Sequence, residues 1–404
     1  MKKVLAIVTV VALLIGGAVY FGMNRSGGGP DVETRERIQL AESLLARGEA
    51  RQAAEVFDEL EADGRRLGKA GEFARLRALD QTGRSAEALE AANAFLEKHP
   101  GSERKTEVEL VRLTSEVASS GVGNPVLRQS VEEFLEQHPN HSGAVRLHVA
   151  LARQDLQLGD TSAAQYRLNK LMTEMDGRAD DDIRELAKVL GEINMEKLLS
   201  PALGEGDTSY TVASGDTING IARRHGVTEE LLMQANNIDD PRRLRVGQRL
   251  KIPNVDFSLH VDVSTNTLTL KNHGQFFKMY PVRTGREAGS TPRGEFRILN
   301  KKRNPTWRPG DGRVYLPGDP SNELGTRWMS FQGDLYGIHG TQRPETVGHY
   351  SSNGCVGMTK EGVEELFELI RVGTPLVIEG EQDTTRHEVL PAPDLPPPQQ
   401  MASN

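Results

Sequence analysis

Two stretches decide how this chain is read: Tyr336-Gly-Ile-His-Gly-Thr341 and Ser351-Ser-Asn-Gly-Cys-Val-Gly-Met358. The second holds Cys355, the one cysteine among 404 residues. A lone cysteine closes no intramolecular disulfide, and a free cysteine is ordinarily a small buried hydrophobe. The neighbouring residues point to chemistry instead. A thiol attacks a carbonyl carbon as its thiolate, which needs an adjacent base or cation, and histidine serves as that base near neutral pH. His339 ends an apolar, strand-like run and precedes a glycine, as a side chain presented at a sheet rim does. Cys355 follows Gly354, so the backbone can turn sharply there and aim the amide N–H groups of both residues at one point. Such donors hold the oxyanion of a tetrahedral acyl intermediate, each worth about 2.7–4 kcal/mol. One cysteine without paired histidines at ligand spacing falls short of a metal site, and neither a metal nor a cofactor is expected.

Around these words, residues 255–380 have a period of two: Leu259, Val261 and Val263, then Leu268 and Leu270, then Phe277, Met279 and Pro281. Glycine and proline turn signals between the runs predict a mainly-β domain. A helical stripe returns only at Lys360–Arg371, where Val363, Leu366, Phe367 and Ile370 share one face. Residues 381–404 are polar and then proline-rich, and read as a disordered tail.

The histidine and cysteine words, 16 positions apart, closely resemble the active-site signature of the YkuD-type L,D-transpeptidases. Ser290-Thr-Pro-Arg-Gly-Glu-Phe296 and Asn304-Pro-Thr-Trp307 resemble further words of that family. The resemblance implies a catalytic domain in which Cys355 is the nucleophile and His339 the base, oriented by the Gly340 carbonyl. It implies an acyl donor that is a tetrapeptide stem of peptidoglycan, cut on the L-centre side of diaminopimelate, and a 3→3 cross-link as product. Gly354, Ser352 and Asn353 then serve the oxyanion and the orientation of the turn, while Tyr336, Thr341, Trp307 and Arg327 contact the peptide. Trp307 and Trp328 fit cleft lining and core packing equally. Two positions depart from the family's usual pattern: Asn353 stands where histidine is common, and Gly357 where arginine is common. With water as acceptor the same site is an L,D-carboxypeptidase. With the chemistry retired the chain is a non-catalytic peptidoglycan-binding scaffold.

Upstream, residues 201–254 comprise a linker and a βααβ pattern. Tyr210-Thr-Val-Ala-Ser-Gly-Asp-Thr-Ile218 opens it, and Arg245-Val-Gly-Gln-Arg-Leu-Lys-Ile-Pro253 closes it. These words strongly resemble the LysM carbohydrate-binding module, which implies a glycan groove between Ser214, Gly215, Asp216 and Thr217 on one loop and Asn236, Asn237 and Ile238 on another. Asp216 and Thr217 also suit helix capping.

Residues 31–200 have helical periodicity, with Leu40, Leu44 and Leu45, then Ala53, Ala54, Phe57 and Leu60. Phe95-Leu-Glu-Lys-His-Pro100 and Phe134-Leu-Glu-Gln-His-Pro139 look alike, and two Ala-Ala junctions resemble the tetratricopeptide (TPR) type. A TPR-like spacer with a protein partner and a plain helical bundle are both compatible with this region. Residues 1–30 hold Lys2, Lys3 and an apolar run over 4–23, long enough at 1.5 Å per residue to cross the roughly 30 Å hydrocarbon layer. A signal anchor, or a cleaved signal peptide, places the rest in the periplasm or cell wall. A net charge of −8 without a basic cluster argues against nucleic acid.

Overall fold

The structure is a computed structural model that describes residues 29–139, 141–175, 181–309, 312–385 and 387–390. The apolar run over 4–23 and the tail beyond residue 390 lie outside these. Among the described residues no helix is long and apolar enough to cross a membrane. The chain divides into two compact units, Met1–Ser119 and Ser120–Asn404.

The first unit is helical: α1 (Val32–Ala46), α2 (Ala50–Ala62), α3 (Gly68–Gln81), α4 (Ser85–Lys98) and α5 (Lys105–Ser120), which ends at the division. Asp31 starts α1 by accepting the Thr34 amide at 2.8 Å. Gly48 ends it at φ +77°, and the Glu49 amide returns to the Leu44 carbonyl at 2.9 Å. A left-handed residue at that point costs glycine nothing, and it reverses the chain so that α2 folds back on α1. Ile38, Ala41, Leu44 and Leu45 meet Ala53, Ala54, Phe57 and Leu60 in the resulting core. Leu40, expected in that stripe, faces outward at 40% exposure.

The second unit opens with α6 (Pro125–Gln137), α7 (Val145–Gln157), α8 (Thr161–Glu174) and α9 (Asp181–Leu199). The two look-alike segments end alike. His99 and His138 leave their helices at φ −130° with ψ 57° and 54°, and each packs its ring 4.8 Å from the phenylalanine one turn back.

The βααβ pattern follows as β1 (Thr208–Thr211), α10 (Ile218–His225), α11 (Glu229–Gln234) and β2 (Arg249–Ile252), with β1 and β2 antiparallel. This module is fixed to what precedes it. Lys251 on β2 is 4% exposed, and its Nζ donates to the carbonyls of Lys197, Leu198 and Ser200 at the end of α9 while pairing with Asp207 at 3.2 Å. A cation suits a helix C-terminus, where the last carbonyls lack intrahelical partners.

The mainly-β domain contains β3 (Phe257–Asp262), β4 (Thr267–Asn272), β5 (Gln275–Pro281), β6 (Thr284–Gly285), β7 (Gly294–Arg297), β8 (Asn300–Arg303), β9 (Arg327–Gln332), β10 (Tyr336–Gly340), β11 (Tyr350–Ser352), β12 (Val356–Met358), α12 (Lys360–Leu369) and β13 (Pro375–Glu379). One sheet has the order β5-β4-β3-β13-β7 and another the order β12-β10-β9-β8, while β11 pairs with β6. α12 packs on β9 and β10, and its predicted face of Val363, Leu366, Phe367 and Ile370 is buried.

The alternation expected in β5 breaks. Met279 is half-buried and Tyr280 is buried, because the β4–β5 register shifts at Leu270/Lys271. β5 is also an edge strand, and α9 covers it: Asn194 donates to the Phe277 carbonyl at 2.9 Å, and Gly191 leaves room for Lys278. Of the residues expected from 381 onward to form a disordered tail, the described ones reach Tyr350. Residues 388 and 390 pair with Tyr350 through the Glu388 carbonyl and the Leu390 amide, and the Asp383 amide donates to the Tyr350 hydroxyl at 2.7 Å. Val389 thereby extends the short β11 edge.

Candidate active site

β10 and β12 run parallel, with Ile338 opposite Val356 and His339 opposite Gly357. One residue before the first of these pairs, Cys355 comes beside Gly337. Cys355 is the bend residue just before β12, and the Gly337 amide, two residues before His339 on β10, acts on its thiol. Gly337 has no side chain because the Trp328 ring fills that space, where an added Cβ would lie 2.6 Å from it. Trp328 is buried and stacks on His339 with centroids 5.9 Å apart.

His339 is 3% exposed, and its Nδ1 lies 2.5 Å from the Gly340 carbonyl oxygen. Burial holds the imidazole down to about 3, helped by the positive charge of Arg283, while the carbonyls of Gly340 and Glu323 act in the opposite direction. The ring is therefore neutral near pH 7. Burial pushes the Cys355 thiol up to about 11, against the Gly337 amide and Arg283, which both favour the thiolate. The resting pair is thus thiol and imidazole rather than an ion pair. They share no hydrogen bond in this structure; the sulfur faces the Leu335 carbonyl oxygen at 3.9 Å. Cys355 keeps part of its surface in solvent.

The turn before the cysteine requires glycine. Gly354 has φ +117°, and a Cβ there would lie 2.4 Å from the Ser290 carbonyl oxygen and 2.7 Å from the Tyr336 ring. Ser352 ties the turn by accepting the Gly354 amide at 3.0 Å and donating to the Cys355 carbonyl at 2.6 Å. This corrects the expected donor pair. The Gly354 amide is already engaged by Ser352, which leaves the Cys355 amide as the backbone donor of the two. Asn353 is half-buried in the same turn.

The expected peptide contacts separate. Tyr336 stays beside Gly354. Thr341 is buried, its hydroxyl accepting the Arg343 amide at 3.0 Å. Trp307 stacks on Tyr315 with centroids 5.0 Å apart, in a loop of its own. Arg327 belongs elsewhere: strand alternation sends it to the α12 side of the sheet, opposite to Trp328, where it faces Glu364 and the Phe367 ring. Three residues not anticipated gather near His339 and Cys355. Arg283, Glu323 and Arg343 form a chain of ion pairs, Arg283–Glu323 at 3.0 Å and Arg343–Glu323 at 3.4 Å. The one signal for Arg283 was a charge inside the otherwise apolar run Tyr280-Pro-Val-Arg-Thr-Gly285.

In the βααβ module, Asn236, Asn237 and Ile238 line an open pocket with Asp239, Arg243, Arg245, Val246 and Gln248. The first loop is not among its lining residues. The Asp216 carboxylate is taken up internally by the Ala213 amide, the Tyr210 hydroxyl and Arg224, which hold it near 2, and Thr217 caps α10 through the Gly220 amide. The side chain of Asn236 is likewise engaged, accepting the Lys251 amide at 2.7 Å and donating to the Leu232 carbonyl.

The sequence profile of the YkuD L,D-transpeptidase catalytic domain matches residues 256–378, and that of the LysM domain matches 210–253. The chain is 34% identical over 176 residues to YkuD of Bacillus subtilis (strain 168), a protein assigned as an L,D-transpeptidase; the match covers 42% of this chain and 98% of that one. YqjB of the same organism, with the same assignment, is 40% identical over 123 residues, covering 29% and 68%. Among solved structures, an L,D-transpeptidase from Mycobacterium smegmatis overlaps 33% of this chain at 18% identity and a TM-score of 0.27, and the overlap spans 64% of that protein's length. The chain belongs to the YkuD family of L,D-transpeptidases and joins its catalytic domain to a LysM domain.

Proposed function

We propose that this chain is a peptidoglycan L,D-transpeptidase working outside the cytoplasmic membrane. The observation that supports this reading is that Cys355, just before β12, has its thiol at the Gly337 amide, two residues from His339 on the paired strand β10, in a chain of this family. Cys355 gives its proton to His339 and its sulfur attacks the diaminopimelate carbonyl at the L-centre of a tetrapeptide stem. The oxyanion that forms faces the Cys355 amide. Collapse breaks the C–N bond, the protonated imidazole returns its proton to the leaving amine, and D-alanine departs. The side-chain amine of a second stem then attacks the thioester, His339 takes its proton, and the thiol is restored as the 3→3 cross-link forms. The carbonyls of Gly340 and Glu323 favour the imidazolium needed in both halves.

The LysM pocket around Asn237 and Ile238 holds the glycan. The apolar run over 4–23 anchors the chain, and the TPR-like helices space it from the bilayer and offer a surface to a protein partner. Holding the glycan raises the local concentration of stem peptides at the catalytic domain. The test is incubation of the full chain, and of Cys355→Ala, with tetrapeptide muropeptides followed by mass spectrometry. Cross-linked dimers from the first and none from the second are expected. Cys355-dependent tripeptides would make it an L,D-carboxypeptidase, and unchanged stems would leave a peptidoglycan-binding scaffold.

A further inference from the structure

Arg283 lies between β5 and β6, and its backbone exchanges two hydrogen bonds with Gly357, at 2.8 and 2.9 Å. Its side chain runs over that glycine. A Cβ on Gly357 would lie 2.4 Å from Arg283 Nε and 2.6 Å from its Cγ, so the guanidinium occupies the room a side chain at 357 would need. Gly357 is the register partner of His339 and stands two residues beyond Cys355. The arginine is 3% exposed, and a guanidinium stays charged even there. Nη2 donates to Glu323 at 3.0 Å and Nη1 to Thr346 at 3.4 Å, while Nε has no hydrogen-bond partner among the described residues. Glu323 also pairs with Arg343, so one carboxylate answers two guanidiniums and the cluster keeps a net positive charge.

We propose that Arg283 is a positioning residue for the cysteine chemistry: seated over Gly357, it supplies a fixed cation that stabilises the Cys355 thiolate and makes protonated His339 a readier donor to the leaving amine. The proposal rests on the acyl-transfer reading given above. Arg283, Glu323, Arg343, His339 and Cys355 are the charged and titratable groups that face one another here, and Arg283 acts on both members of the pair in the acidifying direction. Position 357 itself has no side chain to bring charge to this face of β12.

The test is the pH dependence of Cys355 alkylation by iodoacetamide in the full chain, read by intact mass; a single cysteine makes the readout unambiguous. Arg283→Met leaves Glu323 paired with Arg343, so the cluster becomes neutral without an unpaired buried carboxylate. At pH 8 this variant is expected to alkylate about tenfold more slowly than wild type, equivalent to one unit in the thiol's titration, whereas Arg283→Lys stays within a few-fold. An alkylation profile that overlays wild type in the neutral Arg283→Met variant overturns the proposal. So does Arg283→Lys falling as far as the neutral variant while melting at the wild-type temperature, since shape and not charge would then matter. Alkylation needs no stem peptide, so failure of the transpeptidase reading appears separately, as unchanged muropeptide with wild-type protein.

Discussion

The LysM module and the catalytic domain use polar side chains in opposite ways. Within residues 208–254 no buried side-chain nitrogen or oxygen among the described residues lacks a hydrogen-bond partner, and Asp216 and Asn236 are both engaged by their own module. Around His339 the same accounting leaves Arg283 Nε, Arg343 Nε and Nη2, and Trp328 Nε1 without one. An unpaired buried polar group costs about 1–3 kcal/mol, so a module with no bond to make or break avoids it. A site that must stabilise charge appearing during a reaction keeps such groups in place beforehand. The contrast separates a rigid platform from a reactive centre within one compact unit.

The largest effects should come from the reactive centre. Cys355→Ala is expected to abolish stem-peptide turnover, and His339→Gln to lower it by about 10²–10⁴-fold, both with unchanged melting; turnover by mass spectrometry and melting by circular dichroism decide it. A cysteine variant that still releases D-alanine would break the comparison at its root. Next is Glu323→Ala, which leaves Arg283 as a buried ion without its carboxylate and should cost about 3–5 kcal/mol. Both tryptophans, Trp307 and Trp328, lie in the catalytic domain, so their fluorescence during urea unfolding reports on it. A midpoint unchanged from wild type would mean that the ion pair does not bear on stability. Smaller still is Lys251→Met. Losing charge-assisted bonds to three helix-end carbonyls should cost about 1.5–3 kcal/mol and raise amide exchange at Lys197–Ser200 and across β2. Exchange unchanged at the end of α9 would show that the LysM module is held by its apolar contacts alone.

What could be read in advance was what is local. The face of α12 follows from apolar residues at helical spacing, and the histidine and cysteine words are short enough to be recognised with their glycines. Gly357, read alone, looked like a missing arginine. Only the pairing of residue 283 with residue 357 reveals that another guanidinium lies over it, and no periodicity connects 283, 323 and 343. The Gly354 amide was misassigned for a related reason: a donor's availability depends on whether a nearby hydroxyl has already taken it. β5 misled because a register shift and the covering helix α9 change which of its residues face inward, and neither leaves a mark on its own seven residues.

The smallest effect tests the satisfied half of the comparison. The Asp216 carboxylate is held near 2, first by the Ala213 amide and then by Tyr210 and Arg224, against about 3.9 for an unfolded aspartate. A carboxyl lowered by folding contributes stability that is complete above the unfolded value and fades as the pH falls from about 4 toward 2. Wild type should therefore lose LysM stability across that window. Asp216→Asn, with no proton to gain, should start lower at neutral pH and stay flat, so the two converge in acid. The buried methyl groups of Ile218 and Ile221 lie inside this module, and their NMR signals followed against temperature at several pH values separate its melting from that of the catalytic domain. Parallel curves for the two proteins across pH 4 to 2 would mean that the Asp216 network satisfies its atoms without contributing to the fold.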